Sequence, residues 1–361
     1  GFLNPITGPL EPDAPGFKWG ADQAISDLAK MYPNETFKLI VLDSGCSGDV
    51  AGPAAQTLVD SGVVAVVGAA CSGASMSANA VLAAAGIPMI SYASTNPGLS
   101  DEAEYPLFYR VVPSDALGSL AIVDMMEYQA MDTSGLAILH MNNHEGELWA
   151  DTVETAWENA DNSLCNIGVQ SYEETATDFS ALVENIVNDD TCATVFLASY
   201  MNDAALIIEE LHNQNWDGEI YSGEGSAGTG LYEIISDHTL LDGFMVADRR
   251  AGSSYGNFEQ RYDDSADEIG GIKEYILTAY DSVMIMGKAI AGLDDAYDLE
   301  DRIEIVGTNY EGASGMINFL DNGDGTGQGY DVCTYSGDPN DENEGYLCNL
   351  YWTIQDGLQQ Y

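Results

Sequence analysis

Short apolar runs alternate with amphipathic stretches along most of this chain, and that alternation limits the available folds more than any other feature. FKLIVLDSG (37–45) reads as an apolar strand ending in a turn. Residues 50–61 read as a helix, VVAVVGAAC as a second buried strand, SANAVLAAAG as a short helix closed by Gly86, and IPMISYAS as a third strand. Further on, SGLAILHMN, ATVFLASY and GEIYSGEG each read as a strand ending in a polar or Gly-rich loop. The helical stretches WADTVETAWENA, DFSALVENIV and DAALIIEELHNQ lie between them. Continuous β-branched runs followed by amphipathic helices build parallel sheets with right-handed crossovers, so the expected class is α/β with doubly wound parallel sheets. The pattern occurs in two blocks, roughly 1–115 and 116–247, followed by a long helix (YILTAYDSVMIMGKAIAG) and a Gly- and Asp-rich tail from 314. A chain of 361 residues suits two lobes better than one core. The opening GFLNPITGP reads as the end of a first strand, which points to a processed or trimmed N-terminus, and no signal peptide is visible.

Charge bounds the partners. The chain carries 59 acidic against 10 basic residues, a formal net charge of -49. Nucleic acid is excluded as a natural partner, because neutralising phosphates takes clustered Lys and Arg. So acidic a surface suits high salt: at about 1 M the Debye length is roughly 3 Å, and self-repulsion is screened. A halophilic or marine habitat is therefore expected, an ordinary acidic secreted protein in seawater-like salt being the alternative. The apolar share of 45% and the spread of 20 Tyr, 9 Phe and 5 Trp rule out a disordered acidic tail. No apolar run reaches the roughly 18 residues a membrane span needs. The 6 cysteines allow 15 connectivities; proximity favours Cys46 with Cys71, Cys165 with Cys192, and Cys333 with Cys348. Disulfides imply an oxidising, extracytoplasmic location.

Against that charge, Gly68 to Pro97 (GAACSGASMSANAVLAAAGIPMISYASTNP) holds no charged residue. In parallel sheets the ligand sits at the carboxyl ends of the strands, which points to the loops after Gly68, Ser91, His140, Ser199 and Gly223. CSGAS follows a strand and opens a helix, so the backbone N–H groups around Ser72 and its hydroxyl form an anion site that needs no arginine. YASTNP adds the Thr95 hydroxyl and further backbone groups. Acids here would repel an anionic ligand, which accounts for their absence. Small residues in a close helix–sheet contact are the alternative account.

Several stretches in order resemble the branched-chain amino-acid-binding proteins, the leucine/isoleucine/valine type of type I periplasmic binding proteins that serve ABC transporters. ITGPL with GADQAI, LDSGC with VVGAACS, IPMISYASTNPGLS, FYRVVPSD, GEGSAG and YILTAYDSV carry the resemblance, which covers nearly the whole chain. It implies two lobes joined by a three-crossover hinge, lobe 1 being about 1–115 and 248–313 and lobe 2 about 116–247 and 314–361. It implies that the lobes close on a small amino acid, which a membrane permease then receives. Cys46 and Cys71 sit where many members place a disulfide. Ser72 matches the serine that binds the ligand α-carboxylate. Ala93 and Thr95 match residues that contact the carboxylate and amino groups. Tyr200 matches an aromatic in the wall of the second lobe, and Glu224 the acid that pairs with the α-ammonium, a buried charge that needs such a partner. The chain also departs from the pattern. Asp13 stands where the family often has an aromatic, Glu145-Gly146 where it often has Tyr-Gly, and Asp281 adds a third acid near the expected cleft. An acidic side-chain pocket suits a polar or cationic amino acid better than leucine; loop acids facing solvent are the alternative.

Other motifs carry less. GEGSAG (223–228) fits G-x-G-x-x-G but lies late in the chain and holds Glu224, which would repel a pyrophosphate. His140, His144 and Glu145 fall at a strand end and its loop rather than on one helix face, so no metal site is expected. DNGDGTG (321–327) lacks the full calcium-loop spacing and its terminal Glu and reads as a turn, a weak surface calcium site being the alternative. No nucleophile–base pair, G-x-S-x-G elbow or Walker loop appears, so neither catalytic residues nor a cofactor are expected. The expected function is an extracytoplasmic solute-binding protein, periplasmic or a cell-surface lipoprotein, for ABC-transporter uptake. The rivals are a sensory ectodomain of the same fold, a surface structural or filament protein, and an amidase or other hydrolase.

Overall fold

A computed structural model describes residues 1–129, 135–265, 269–293, 297–338 and 345–361, apart from the side chains of His144 and Glu145. The chain divides into two compact units, Gly1–Ser114 with Ala251–Gln328, and Asp115–Arg250 with Gly329–Tyr361.

The first unit begins with β1 (Phe2–Asn4), α1 (Ala14–Met31), β2 (Val41–Asp43), α2 (Gly48–Asp60), β3 (Val66–Val67), α3 (Ser72–Ala84), β4 (Met89–Ser91) and β5 (Phe108–Arg110). The strands are shorter than the apolar runs that contain them. They form a parallel sheet in the order β2-β1-β3-β4-β5. Successive side chains alternate between faces. Phe2 joins a core with Phe17 and Leu28 of α1, whereas Leu3 joins Leu58 of α2 and Leu82 of α3 on the other face. The chain leaves β1 toward β2 on one side, and β3 lies on the other. The switch point therefore falls between β1 and β3, where a doubly wound sheet opens a crevice at its carboxyl ends. Gly68, just past β3, has φ +115°, and a Cβ there would stand 2.5 Å from the Leu3 carbonyl oxygen. Only glycine lets the two strand ends come so close.

The second unit runs α4 (Asp115–Gln129), β6 (Leu136–Met141), α5 (His144–Asn159), β7 (Leu164–Tyr172), α6 (Ser180–Val187), β8 (Thr194–Ala198), α7 (Met201–Asn213), β9 (Glu219–Ser222), α8 (Leu231–Ile234) and β10 (Met245–Arg249). The chain then returns to the first unit with α9 (Phe258–Asp263), α10 (Lys273–Ala291), α11 (Leu299–Gly307) and the hairpin β11 (Tyr310–Gly312) and β12 (Gly315–Ile317). It ends in the second unit with β13 (Tyr330–Thr334), β14 (Leu347–Thr353) and β15 (Gly357–Gln360). The second sheet has the order β15-β14-β13-β10-β9-β8-β6-β7. It is parallel from β7 to β10, and its last three strands are antiparallel. Its switch point falls between β6 and β8.

The last crossing lies after Gln328, not at 313–314 as the Gly- and Asp-rich composition suggested. Two contacts hold 314–328 in the first unit: β12 pairs with β11, and Asp324 bridges to Arg110 at the end of β5. The disulfides are Cys46–Cys71, Cys165–Cys192 and Cys333–Cys348, as proximity favoured. Among the described residues no helix is long and apolar enough to cross a membrane.

Candidate functional site

In the first unit, α3 opens directly beyond the end of β3, with Cys71 as its N-cap and no side-chain cap. An α-helix leaves the N–H groups of its first turn without intrahelical partners, so those of Ser72, Gly73 and Ala74 are available. The Ser72 Oγ accepts from the Asn96 N–H at 3.3 Å, which keeps the hydroxyl hydrogen for another acceptor. A Cβ at Gly73 would meet nothing within 4 Å, so the turn faces open space. The Cys46–Cys71 disulfide ties this helix start to the loop after β2.

Three buried serines join the β3–α3 loop to the β4 loop. Ser75 Oγ accepts from the Ala69 N–H at 3.1 Å and lies 2.9 Å from Ser94 Oγ. Ser91 Oγ donates to the Ala69 carbonyl at 2.7 Å and accepts from the Ser94 N–H at 3.0 Å. Satisfied buried networks of this kind hold a backbone in one arrangement. The sequence stretch is uncharged for two reasons at once: its hydroxyls build the loops, and its helix start is left open.

Arg110 completes the brace. It is 0% exposed; its Nε donates to Asp324 Oδ1 at 2.6 Å and its Nη2 to Ser100 Oγ at 2.7 Å. Its Nη1 donates to the Ser94 and Asn96 carbonyls at 3.1 and 3.0 Å. Thr95 lies between those two carbonyls. It is half-buried, and among the described residues its hydroxyl makes no hydrogen bond. Ala93 is half-buried and its N–H donates to Ser91 Oγ at 3.3 Å. Asp13 caps the start of α1 after the β1 loop, half-buried and without a side-chain capping bond.

Asp281 does not join this group. It lies on α10, 0% exposed, and its carboxylate accepts from the Ala313 and Ser314 N–H groups at 2.8 and 2.7 Å and from Ser314 Oγ at 2.6 Å. It holds the β11–β12 turn to the helix and is not a ligand-facing acid. Burial pushes its carboxyl up to about 6, against those hydrogen bonds. Asp324, within the Gly- and Asp-rich tail, is likewise spent on Arg110, Ser100 and Asn322 rather than offered to a cation.

In the second unit the loops after β6, β8 and β9 line a small hollow that includes Met141, Gly146, Trp149, Tyr200 and Glu224. Tyr200 is the N-cap of α7 and 46% exposed. Glu224 opens a one-turn 3₁₀ segment after β9, and its Oε1 accepts from Arg249 Nη2 at 3.0 Å. Sequence reasoning missed Arg249. A signal was present: Arg249 and Arg250 are the second unit's only Lys or Arg residues, set side by side at the end of β10. Burial raises the Asp248 carboxyl beside them above its ordinary range. Glu145 lies in the first turn of α5, and its side chain falls outside the described residues. Ser72, Ala93, Thr95 and Asp13 thus share the carboxyl-end loops of one unit, and Tyr200 and Glu224 share those of the other.

A receptor family ligand binding region model matches residues 20–338. Metabotropic glutamate receptor 6 of Oryctolagus cuniculus is 26% identical over 220 residues, which is 60% of this chain and 25% of the receptor. The chain thus matches about a quarter of that relative's length. A leucine-, isoleucine-, valine-, threonine- and alanine-binding protein of Pseudomonas aeruginosa is 24% identical over 336 residues, 90% of this chain and 86% of that protein. The crystal structure of a leucine-binding protein from Thermotoga maritima superposes with a TM-score of 0.61 at 20% identity, covering 93% of this chain and 94% of that one. At that identity the likeness carries the fold alone.

Proposed function

This chain belongs to the receptor ligand-binding-region family and has the type I periplasmic-binding-protein fold, and on that premise we propose that it captures a free, small, neutral amino acid outside the cytoplasm for uptake by an ABC transporter. One observation carries the reading: an uncapped helix start at Ser72 and a Thr95 hydroxyl unpartnered among the described residues share one braced set of loops. Main-chain N–H groups and hydroxyls at a helix N-terminus suit a carboxylate. The α-carboxylate is assigned to Ser72 and the first turn of α3. The ammonium is assigned to Thr95, the Ala93 carbonyl and Glu224, with Tyr200 and Asp13 beside the ligand side chain. A neutral ligand is favoured over a cationic one because Asp281, one of the three acids that suggested a cation, is buried and hydrogen-bonded to the β11–β12 turn. The extracytoplasmic placement rests on the three disulfides. No step of chemistry on the ligand is assigned.

A thermal-shift panel of the twenty amino acids in high salt tests the reading. Leucine, isoleucine, valine, threonine or alanine at 100 times its dissociation constant should add about 2.7 kcal/mol of stability, and lysine or arginine should add none. If no amino acid moves the transition, the proposal fails. Thr95→Val keeps the shape and removes a hydroxyl that has no partner among the described residues. Calorimetry should show about 10-fold or more weaker binding, the scale of one hydrogen bond to a charged group, with an unchanged Tm. The likeness to a receptor favours a second reading, a sensory ectodomain with the same ligand. The liganded protein should stimulate ATP hydrolysis by its reconstituted permease if it serves uptake, and no such permease response is expected of a sensor.

A further inference from the structure

Of all the asparagines in the chain, Asn34 alone is followed two residues later by Ser or Thr. It stands in Tyr32-Pro33-Asn34-Glu35-Thr36, between the end of α1 at Met31 and the start of β2 at Val41. The middle residue, Glu35, is not proline, so Asn34-Glu35-Thr36 is a complete acceptor triplet for attachment of a glycan to an asparagine amide. Such a triplet is usable only where the folded or folding chain holds it in reach of a transferase.

Local structure presents this one. A proline disfavours the helical region for the residue before it, and Tyr32 accordingly leaves α1 at φ -123° and ψ 70°. The Glu35 N–H donates to the Tyr32 carbonyl at 3.0 Å, closing a turn with Pro33 and Asn34 at its two central positions. Pro33 presets the first of these. Residues 33–36 are all exposed. Among the described residues neither the Asn34 carboxamide nor the Thr36 hydroxyl makes a hydrogen bond, so engaging both breaks none. Tyr32, two positions before Asn34, is half-buried, and its ring centre lies 6.1 Å from that of Phe37. Aromatic rings carry a negative face, which receives the C–H face of a sugar. The turn thus puts such a ring two residues from the attachment point.

We propose that Asn34 is an N-glycosylation site, filled outside the cytoplasm from a polyisoprenyl-phosphate-linked glycan. The Asn34 Nδ2 forms the new bond to the anomeric carbon of the first sugar. The bond from that carbon to the phosphate oxygen breaks, the lipid phosphate leaves with the electron pair, and the amide gives up one proton. Nothing is oxidised or reduced. The proposal rests on the extracytoplasmic placement that the three disulfides support, because lipid-linked glycans are transferred on that side of the membrane. It leaves amino-acid capture untouched. Residues 32–40 lead into β2 at its amino end, whereas the loops that hold Ser72 and Thr95 follow the carboxyl ends of β3 and β4.

Trypsin cuts after Lys30 and Lys38 and so isolates the triplet in one short peptide. In protein recovered from the cells that make it, mass spectrometry should find that peptide heavier by whole sugar residues, with fragments placing them on Asn34. Thr36→Ala should return the peptide to its bare mass, and Thr36→Ser should keep the modification. Both variants should respond to the amino-acid panel above as the parent does. A bare Asn34 in the parent overturns the proposal, as does a sugar that persists in Thr36→Ala. The same spectra read the cysteines. Oxidised cysteines with a bare Asn34 overturn the glycan and leave the placement standing, whereas free thiols with a bare Asn34 overturn both. Amino-acid binding is read on its own, so its failure bears on the transport reading alone.

Discussion

Replacing Arg110 with alanine is expected to cost about 3–5 kcal/mol of stability, the scale for removing one partner of a buried ion pair, and to abolish amino-acid binding. Asp324, 3% exposed, would lose its cation, and the Ser94 and Asn96 carbonyls would lose their shared donor. Urea unfolding measures the first effect and calorimetry the second. A charge-free pair, Arg110→Met with Asp324→Leu, should recover most of the stability, because well-packed apolar groups often replace a buried pair at no net loss. It should not recover binding, since neither side chain can hold the two carbonyls that flank Thr95. If the double variant binds as the parent does, Arg110 is a structural residue only and the loop needs no brace.

Asp281 should make the first unit sensitive to pH in a defined direction. Its folded carboxyl sits at about 6 against an ordinary 3.8. A carboxyl raised on folding takes up a proton as the chain folds, so it adds stability as pH falls from above 6 toward 4. The full swing is about 3 kcal/mol. Other carboxylates oppose it: hydrogen bonds hold Asp27 and Asp43 below their ordinary range despite burial. The clean measurement is therefore a difference between the parent and Asp281→Asn, unfolded at pH 7.5 and at pH 4.5. The parent should gain on the variant as pH drops. Parallel curves would mean that the charge on Asp281 is not what the burial implies. Lys288 and Tyr310 lie close by, and burial of the lysine lowers its own pKa, so both belong in the control set.

The α/β class, the helix at Ser72 and the cysteine pairs could be read from the chain because each is a local signal. Periodicity, a glycine stop and short loop spans need no knowledge of distant residues. What escaped was non-local. Arg110 and Asp324 are 214 positions apart, and nothing near either one names the other. The hint was a lone arginine ending the apolar run FYR beside an uncharged neighbourhood. The burial of Asp281 is non-local too: its partners Ala313 and Ser314 lie 32 and 33 positions away, and its buried helix neighbours Thr278 and Ser282 are polar, so the local pattern does not mark the position as core. The last crossing lies at 328 rather than near 313 because residues 314–328, whose Gly- and Asp-rich composition marks no unit, pair within the first one. Only that pairing, between β11 and β12 and between Arg110 and Asp324, places them in the first unit.

The first turn of α3 offers dipoles where many proteins would offer a guanidinium. Dipolar contacts act over a few ångströms and lose little to dissolved ions, whereas a cationic clamp weakens as counterions crowd around it. In the proposed site, the hold on the carboxylate end should vary little between brine and dilute buffer, whereas the Glu224 contact to the ammonium should weaken as salt rises. On the proposed reading, the heavily acidic exterior can serve solubility without weakening the hold on the ligand carboxylate.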